Sequence, residues 1–141
     1  RIGVQAGSEL QPWSTYASRV HKREYSIMIG AVAAVTSESS QVLRSAMGTY
    51  DPPSGSGGFN WGRYSNPALD ALVARAANTA DNRQREVLLR QAMVMGTTDV
   101  ANIPLHLQKT TWAMQRGLIY AGRSDDQTRV ADINPTSELT R

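Results

Sequence analysis

A nearly continuous apolar run over residues 25–34 constrains the fold of this chain more than any other feature of its sequence. The run includes Ile27, Met28, Ile29 and Val32. An uninterrupted apolar stretch of this length suits a strand that is covered on both faces, as parallel strands are in α/β layers. We therefore expect a buried strand at residues 25–34.

The residues ahead of this run have the pattern of a strand followed by a helix. Residues 2–5 are predicted to form a short strand. Apolar residues then recur at the i, i+3, i+4 and i+7 positions of an amphipathic helix, namely Trp13, Tyr16, Ala17 and Val20. The opening third of the chain is therefore predicted to be a βαβ unit.

The end of the predicted strand carries small side chains. Glycine and alanine dominate residues 30–34, which lets a ligand or another backbone come close. Open α/β sheets bind ligands beyond the carboxyl ends of their strands. We therefore expect ligand contacts at this strand end, from Ala31, Val32, Ala34, Val35 and Thr36.

A loop rich in Gly, Pro and Ser over residues 50–65 follows a predicted short helix at residues 39–47. Loops of this length are usually functional or disordered, and the aromatic residues of this one favour an ordered loop that packs in part. Trp61 lies there between Asn60 and Arg63, so that a stacking face and polar groups occur together. This mixture is typical of a small-molecule cleft.

Two consecutive helices with distinct start signals follow the loop. Asn66 and Pro67 combine a capping residue with proline at the first helical position, and Asp81 with Gln84 resembles a capping box. The apolar faces are predicted to be Leu69, Leu72, Val73, Ala76 and Ala77 in the first helix, and Val87, Leu88, Ala92 and Met95 in the second.

A returning strand is predicted at residues 103–108, where apolar and polar residues alternate. Pro104 cannot donate to a ladder and should lie at the strand start or at a sheet edge. The tail from residue 122 to residue 141 is polar and is expected to wrap over the fold or to be loose. The predicted fold class is α/β, with a βαβ start, two consecutive helices and a returning strand.

Composition and motifs exclude several classes of function. With 141 residues, no cysteine and a net charge of +3 from scattered charges, the chain fits one domain with no thiolate site and a weak nucleic-acid footprint. His21 and His106 lie far apart, without acidic neighbours at metal-ligand spacing. No nucleophile elbow or phosphate-binding glycine loop is present. We therefore expect no enzymatic activity, no metal and no cofactor.

Three segments at these separations resemble the peptide/nickel-type (family 5) extracellular solute-binding proteins of bacterial ABC importers. The segments are YSNPALD at residues 64–70, DNRQR at residues 81–85 and IPLH at residues 103–106. The resemblance runs from Ile2 to Tyr120 and implies a two-layer lobe of a type II periplasmic binding protein-like fold, present incompletely. Residues 1–120 would be part of the C-terminal lobe, and residues 121–141 a polar tail crossing toward the missing first lobe.

The resemblance implies solute binding for ABC-type import by a periplasmic or lipid-anchored receptor. The solute would be a peptide, an opine, another small organic molecule or a metal chelate, and the partners would be the permease subunits and the N-terminal lobe. Since the sequence opens on Arg1 without a signal peptide, we expect a segment processed or excised from a longer protein. Surfaces normally buried against the first lobe could then promote self-association.

The resemblance also suggests site residues. In the family the apolar strand ends in a Gly-Trp-x-x-Asp-like segment that lines the cleft, and here Val32 and Val35 stand at the Trp and Asp positions. A peptide ammonium buried beside Val35 would lack its counter-ion, at a cost of several kcal/mol, which disfavours a free-peptide ligand. Trp13 falls at the position of a cleft Trp, although its place on the apolar stripe leaves a core role open. Asn60, Trp61, Arg63 and Tyr64 fall in the loop that borders the ligand.

Two other functions stay open at this point. The same fold is reused as the ligand-sensing domain of transcription regulators, which an upstream helix-turn-helix would reveal. A basic nucleic-acid module would bind random DNA in a salt-sensitive manner. The scattered charges disfavour this last class.

Overall fold

The computed structural model describes residues 3–36, 38–125 and 127–136. In chain order the elements are α1 (Trp13–His21), α2 (Ser39–Val42), a π-helical turn (Leu43–Met47), a 3-10 turn (Pro52–Ser54), α3 (Pro67–Ala77), α4 (Asn82–Thr98), β1 (Leu118–Tyr120), a second 3-10 turn (Val130–Asp132) and β2 (Ile133–Pro135). The chain divides into two compact units, residues 1–30 and residues 31–141. No helix in the described ranges is both long enough and apolar enough to cross a bilayer.

The first unit is built around α1, which confirms the predicted helix. Val20 on its apolar stripe is fully buried, whereas Trp13 at its start is 59% exposed. The Tyr16 hydroxyl donates to the backbone oxygen of Ile29 at 2.8 Å. Arg19 forms ion pairs with Glu9, which precedes the helix, at 3.1 Å and with Glu24, which follows it, at 2.8 Å. Polar and aromatic contacts therefore fold the following segment back onto α1.

The predicted strands of the βαβ unit are wrong. Residues 3–5 form no strand, and Ile2 lies outside the described residues. Residues 25–34 are free of regular secondary structure, and Ile27 and Ile29 within them are exposed. A strand forms only where its backbone is hydrogen-bonded to a neighbouring strand. Among the described residues, β1 and β2 are paired in this way, and Asp51 and Ser56 form an isolated bridge. Strand propensity without a ladder partner leaves these residues exposed.

The core of the second unit lies where α3, α4 and the π-helical turn meet. Its buried residues are Leu43, Met47, Leu69, Val73, Ala76, Leu89 and Ala92. A Cβ added to Gly96 of α4 would lie 2.7 Å from Sδ of Met47 and 3.1 Å from Cδ1 of Leu69. Gly96 therefore allows α4 to approach the other two elements closely.

Both predicted helix starts are confirmed. The Asn66 side chain accepts hydrogen bonds from the backbone N–H of Ala68 at 3.0 Å and of Leu69 at 3.4 Å, with Pro67 as the first helical residue. Asp81 Oδ1 accepts from the backbone N–H of Gln84 at 2.8 Å. Each cap satisfies amides that the helix itself leaves without acceptors.

The buried face of α4 differs from the predicted one. Ala92 is buried as predicted, and the predicted Leu88 and Met95 are partly buried against the core. Val87 is exposed, whereas Leu89 and Gly96, which were not predicted, are buried. Gly96 was missed because a glycine adds no side chain to an apolar pattern, although it lies against Met47 and Leu69. On α3 the predicted Leu69, Val73 and Ala76 are buried, but Ala77 is exposed.

The predicted strand at residues 103–108 is also wrong. These residues form no ladder, and Leu107 is 96% exposed. Instead β1 and β2 pair antiparallel, with Leu118 opposite Pro135 and Tyr120 opposite Ile133. The described part of the predicted polar tail thus supplies β2.

The residues between β1 and β2 fold back onto the sheet. The Tyr120 hydroxyl donates to the backbone oxygen of Gln127 at 2.7 Å. The ring of Tyr120 meets that of Trp112 at a centroid distance of 5.4 Å, and Nε1 of Trp112 donates to Thr128 Oγ1 at 2.9 Å. These contacts hold the described part of the tail as a small folded element.

Candidate functional site

The loop between the π-helical turn and α3, residues 48–66, is ordered by its own hydrogen bonds. Asp51 and Ser56 form an antiparallel bridge with both N···O distances at 3.1 Å, and the first 3-10 turn closes it. The prediction of an ordered loop at residues 50–65 is therefore confirmed. We refer to residues 48–66 as the site loop.

The π-helical turn provides the surface on which the site loop rests. Its closing bond runs from the N–H of Gly48 to the oxygen of Leu43 at 2.8 Å, over five residues. The backbone oxygen of Arg44 accepts from the N–H of Gly57 at 3.0 Å, and that of Ser45 accepts from the N–H of Phe59 at 2.8 Å. Carbonyl groups of the turn thus find their partners in the loop.

Asn60, predicted as a ligand residue, is the internal clamp of the site loop. Its side chain is buried, with 3% of its surface exposed. Its Nδ2 donates to the backbone oxygens of Gly48 at 2.9 Å and Tyr64 at 2.6 Å, and its Oδ1 accepts from the N–H of Tyr64 at 3.0 Å. Because both amide donors and the carbonyl are engaged within the loop, the Asn60 side chain positions the loop.

Tyr64, also a predicted ligand residue, links the site loop to the end of α4. Its hydroxyl donates to Asp99 Oδ2 at 2.6 Å, and Asn66 Nδ2 donates to the same oxygen at 2.8 Å. The hydrogen bond from Tyr64, and then the one from Asn66, lower the pKa of Asp99. Desolvation, followed by the hydrogen bond to Asp99, raises the pKa of Tyr64. Tyr64 is therefore a protonated donor that ties two elements together.

Trp61 packs inside the site loop, although it was predicted to offer an open stacking face. It is 8% exposed, and its ring meets that of Phe59 edge-on at a centroid distance of 5.9 Å. An indole buried to this extent contributes apolar contact area to the fold. Phe59, whose ring contacts Trp61, is 42% exposed.

Arg63 is the predicted site residue that carries a charge on the outside of the loop. Its Cζ lies 3.4 Å from the ring centroid of Tyr50, which is 40% exposed. Its backbone is left-handed, with φ of 59°, a conformation uncommon for residues other than glycine. Sequence reasoning missed Tyr50, because a ring contact between two positions of an irregular loop leaves no spacing pattern in the sequence.

The predicted strand-end residues, Ala31, Val32, Ala34, Val35 and Thr36, are all exposed. Thr36 makes a local hydrogen bond to the backbone oxygen of Glu38 at 3.4 Å. No hydrogen bond in the described part of the chain joins residues 31–36 to the site loop. Trp13 belongs to the first unit, where its ring meets that of Tyr16 at 6.0 Å. The structure therefore brings together Asn60, Trp61, Arg63 and Tyr64, in one loop.

Among the described residues, no group of three or more histidine, aspartate or glutamate side chains is placed to hold a metal ion. Comparisons of the chain with family models, with curated proteins and with solved structures found no match.

Proposed function

We propose that this chain is part of a solute-binding receptor for ABC-type import and catalyses no reaction. The proposal rests on the resemblance to the peptide/nickel-type solute-binding proteins, and the contacts of the YSNPALD segment support it. In this proposal the chain belongs to an incomplete type II lobe that works with an N-terminal lobe and with permease subunits, in the periplasm or anchored to a membrane by lipid.

The observation that carries the proposal is that the polar residues of this segment all hold the site loop. Tyr64 and Asn66 converge on Asp99 at the end of α4. Asp70 accepts from the N–H of Thr49 at 2.9 Å and from its hydroxyl at 2.5 Å. The segment thus ties both ends of the site loop to α3 and to the end of α4. A fixed loop costs less entropy on binding than a mobile one.

The fixed loop presents polar and aromatic groups to the outside. Tyr50, Phe59 and Arg63 all keep part of their surface accessible. An aromatic face beside a charged group is the combination that orients a small organic solute in a cleft. In the proposal, the other wall of the cleft comes from the strand-end residues 31–36 and from the N-terminal lobe.

The proposal also gives a role to the exposed apolar segments. The exposed apolar side chains of residues 25–34 and 103–108 would be covered by other parts of the receptor. Closure of two lobes on the solute would shift the population toward a form that the permease recognises.

Isothermal titration calorimetry on the full reading frame that contains these residues tests the proposal. We expect one class among small peptides, opines, sugars, other small organic solutes and metal chelates to bind with micromolar or tighter affinity. No heat from a folded protein with any class would refute import. A solute that instead changes binding to operator DNA would assign the chain to a transcription regulator.

A further inference from the structure

The charge on Arg63 is not neutralised by an ion pair with any described residue. The arginines that contact carboxylates in the described ranges are Arg19, Arg85, Arg90 and Arg123. Arg63 instead lies against the ring of Tyr50 and donates from Nη1 to the backbone oxygen of Asn60 at 3.4 Å. A guanidinium has five N–H donors, and the remaining ones find no hydrogen-bond acceptor in the described residues. They are available to an acceptor from outside the chain.

The position of Arg63 is set by the loop and not by chance contact. Its backbone N–H donates to the oxygen of Asn60 at 3.2 Å, and the Asn60 side chain is locked by three hydrogen bonds. A non-glycine residue in the left-handed region is strained and persists only where its surroundings determine it. Such positions cluster at binding sites, and the clamp provided by Asn60 supplies the determining contacts here.

Tyr50 is fixed from its own side of the loop. A Cβ added to Gly57 would lie 2.6 Å from Cα of Tyr50, and Gly57 has a φ of 68°, so these two backbone segments are in direct contact. The neighbouring Thr49 is held by Asp70 through both its N–H and its hydroxyl. The ring and the guanidinium are therefore presented together by two segments that cannot separate without breaking the loop.

We propose that Arg63, held against Tyr50, is the anchoring point for a carboxylate of the solute. The planar fork of a guanidinium matches the two oxygens of a carboxylate, and stacking on a ring orients that fork before the ligand arrives. The Tyr50 ring offers an apolar surface to the carbon skeleton next to the carboxylate. This inference rests on the proposed function. It narrows the solute to molecules that carry a carboxylate.

Benzoate and benzamide are a matched pair of probes, because they share a ring and differ in the carboxylate. We would titrate each into the 15N-labelled 141-residue chain and follow the Nε–H signal of Arg63 and the backbone amides of the site loop. Benzoate should shift the Arg63 signals and benzamide should not. The variant R63Q should weaken benzoate binding at least about tenfold, as expected for a hydrogen bond to a charged group.

The control variant R83Q removes the same charge from an exposed position at the start of α4. It should leave benzoate binding unchanged, and R63K, which keeps the charge without the fork, should fall between R63Q and the parent chain. Equal shifts with benzamide, equal losses in R63Q and R83Q, or no shift of Arg63 up to the solubility of benzoate would overturn the inference. Unchanged amide spectra outside the site loop verify that each variant is folded.

Failure of the inference and failure of the proposed function give different results. If benzoate binds at Arg63 but no solute binds the full reading frame, import is refuted and the carboxylate site stands. If a solute binds the full reading frame and its carboxamide analogue binds equally well, import stands and the carboxylate site is refuted.

Discussion

Removing the clamp of the site loop by Asn60→Ala should destabilise the chain strongly. The substitution deletes three hydrogen bonds, two donated by Nδ2 to Gly48 and Tyr64 and one accepted by Oδ1 from Tyr64. Each contributes about 1 kcal/mol net, and a backbone group left buried without a partner costs about 1–3 kcal/mol. Since the side chain is 3% exposed, water replaces few of these bonds. We expect a loss of about 2–4 kcal/mol in the free energy of unfolding.

The matched control for this substitution is Asn78→Ala. Asn78 is exposed at the end of α3, where its Nδ2 makes one hydrogen bond to the oxygen of Ala74 at 2.9 Å. Its loss should cost about 0.5 kcal/mol or less, because water can replace that bond. Urea unfolding followed by tryptophan fluorescence and far-UV circular dichroism measures both variants, with the slope m compared to verify two-state behaviour. Equal midpoints for the two variants would refute the assignment of Asn60 as the clamp.

Three further predictions concern other parts of the fold. Val100 is β-branched with φ of 55°, so Val100→Gly should raise the free energy of unfolding by about 0.5–1 kcal/mol. The control Val94→Gly, at an exposed position in α4, should lower it by about 0.5 kcal/mol. Urea midpoints that shift in the same direction for both variants would contradict this. The hydrogen bonds from Arg123 hold the pKa of Asp125 at about 2, below its ordinary 3.8. The stability that this carboxylate contributes is therefore present above pH 3.8 and is lost as the pH falls to about 2. Asp125→Asn should flatten that part of a plot of urea midpoint against pH. Leu105 is exposed together with Ile103 and Leu107, so Leu105→Lys should reduce self-association in sedimentation velocity. An unchanged sedimentation coefficient at high concentration would argue against association through this segment.

The helices could be predicted from the sequence because their signals are local. Asn66 and Asp81 cap amides two or three residues away, and the apolar residues that pack α3 recur within the helix itself. The face of α4 could not be predicted as well. Part of its contact is made by Gly96 against Met47, and a glycine adds nothing to an apolar pattern although it allows a close approach.

The strands could not be predicted because a ladder is a relation between distant segments. Residues 25–34 and 103–108 have strand composition, but no neighbour among the described residues pairs with them. The three-residue strands β1 and β2 pair through the register of Ile119 with Asn134, which composition does not signal. Strand propensity states that a residue fits a pleated and half-buried surface, and it cannot supply that surface.

The sequence prediction and the structure agree on the order of this loop, but they differ on the exposure of two of its predicted ligand residues. The mixture of aromatic and polar residues at 60–64 suggested that Trp61 and Asn60 face a solute, whereas the structure buries both. The same mixture is what a loop needs in order to fold without regular structure, because an apolar ring supplies a small core and an amide satisfies the backbone. Of the predicted loop residues, the one left to face outward with uncommitted donors is Arg63.

The contacts that fix Arg63 all lie within the second unit, and this determines what can be measured on the chain itself. The loop is held by the π-helical turn, by Asp70 of α3 and by Asp99 at the end of α4. None of these contacts involves residues 25–34 or 103–108, the segments that other parts of the proposed receptor would cover. Covering those segments would therefore leave the pairing of Arg63 with Tyr50 in place. A carboxylate site at Arg63 should accordingly be detectable on these residues alone, with weaker affinity because the opposite wall of the cleft is missing.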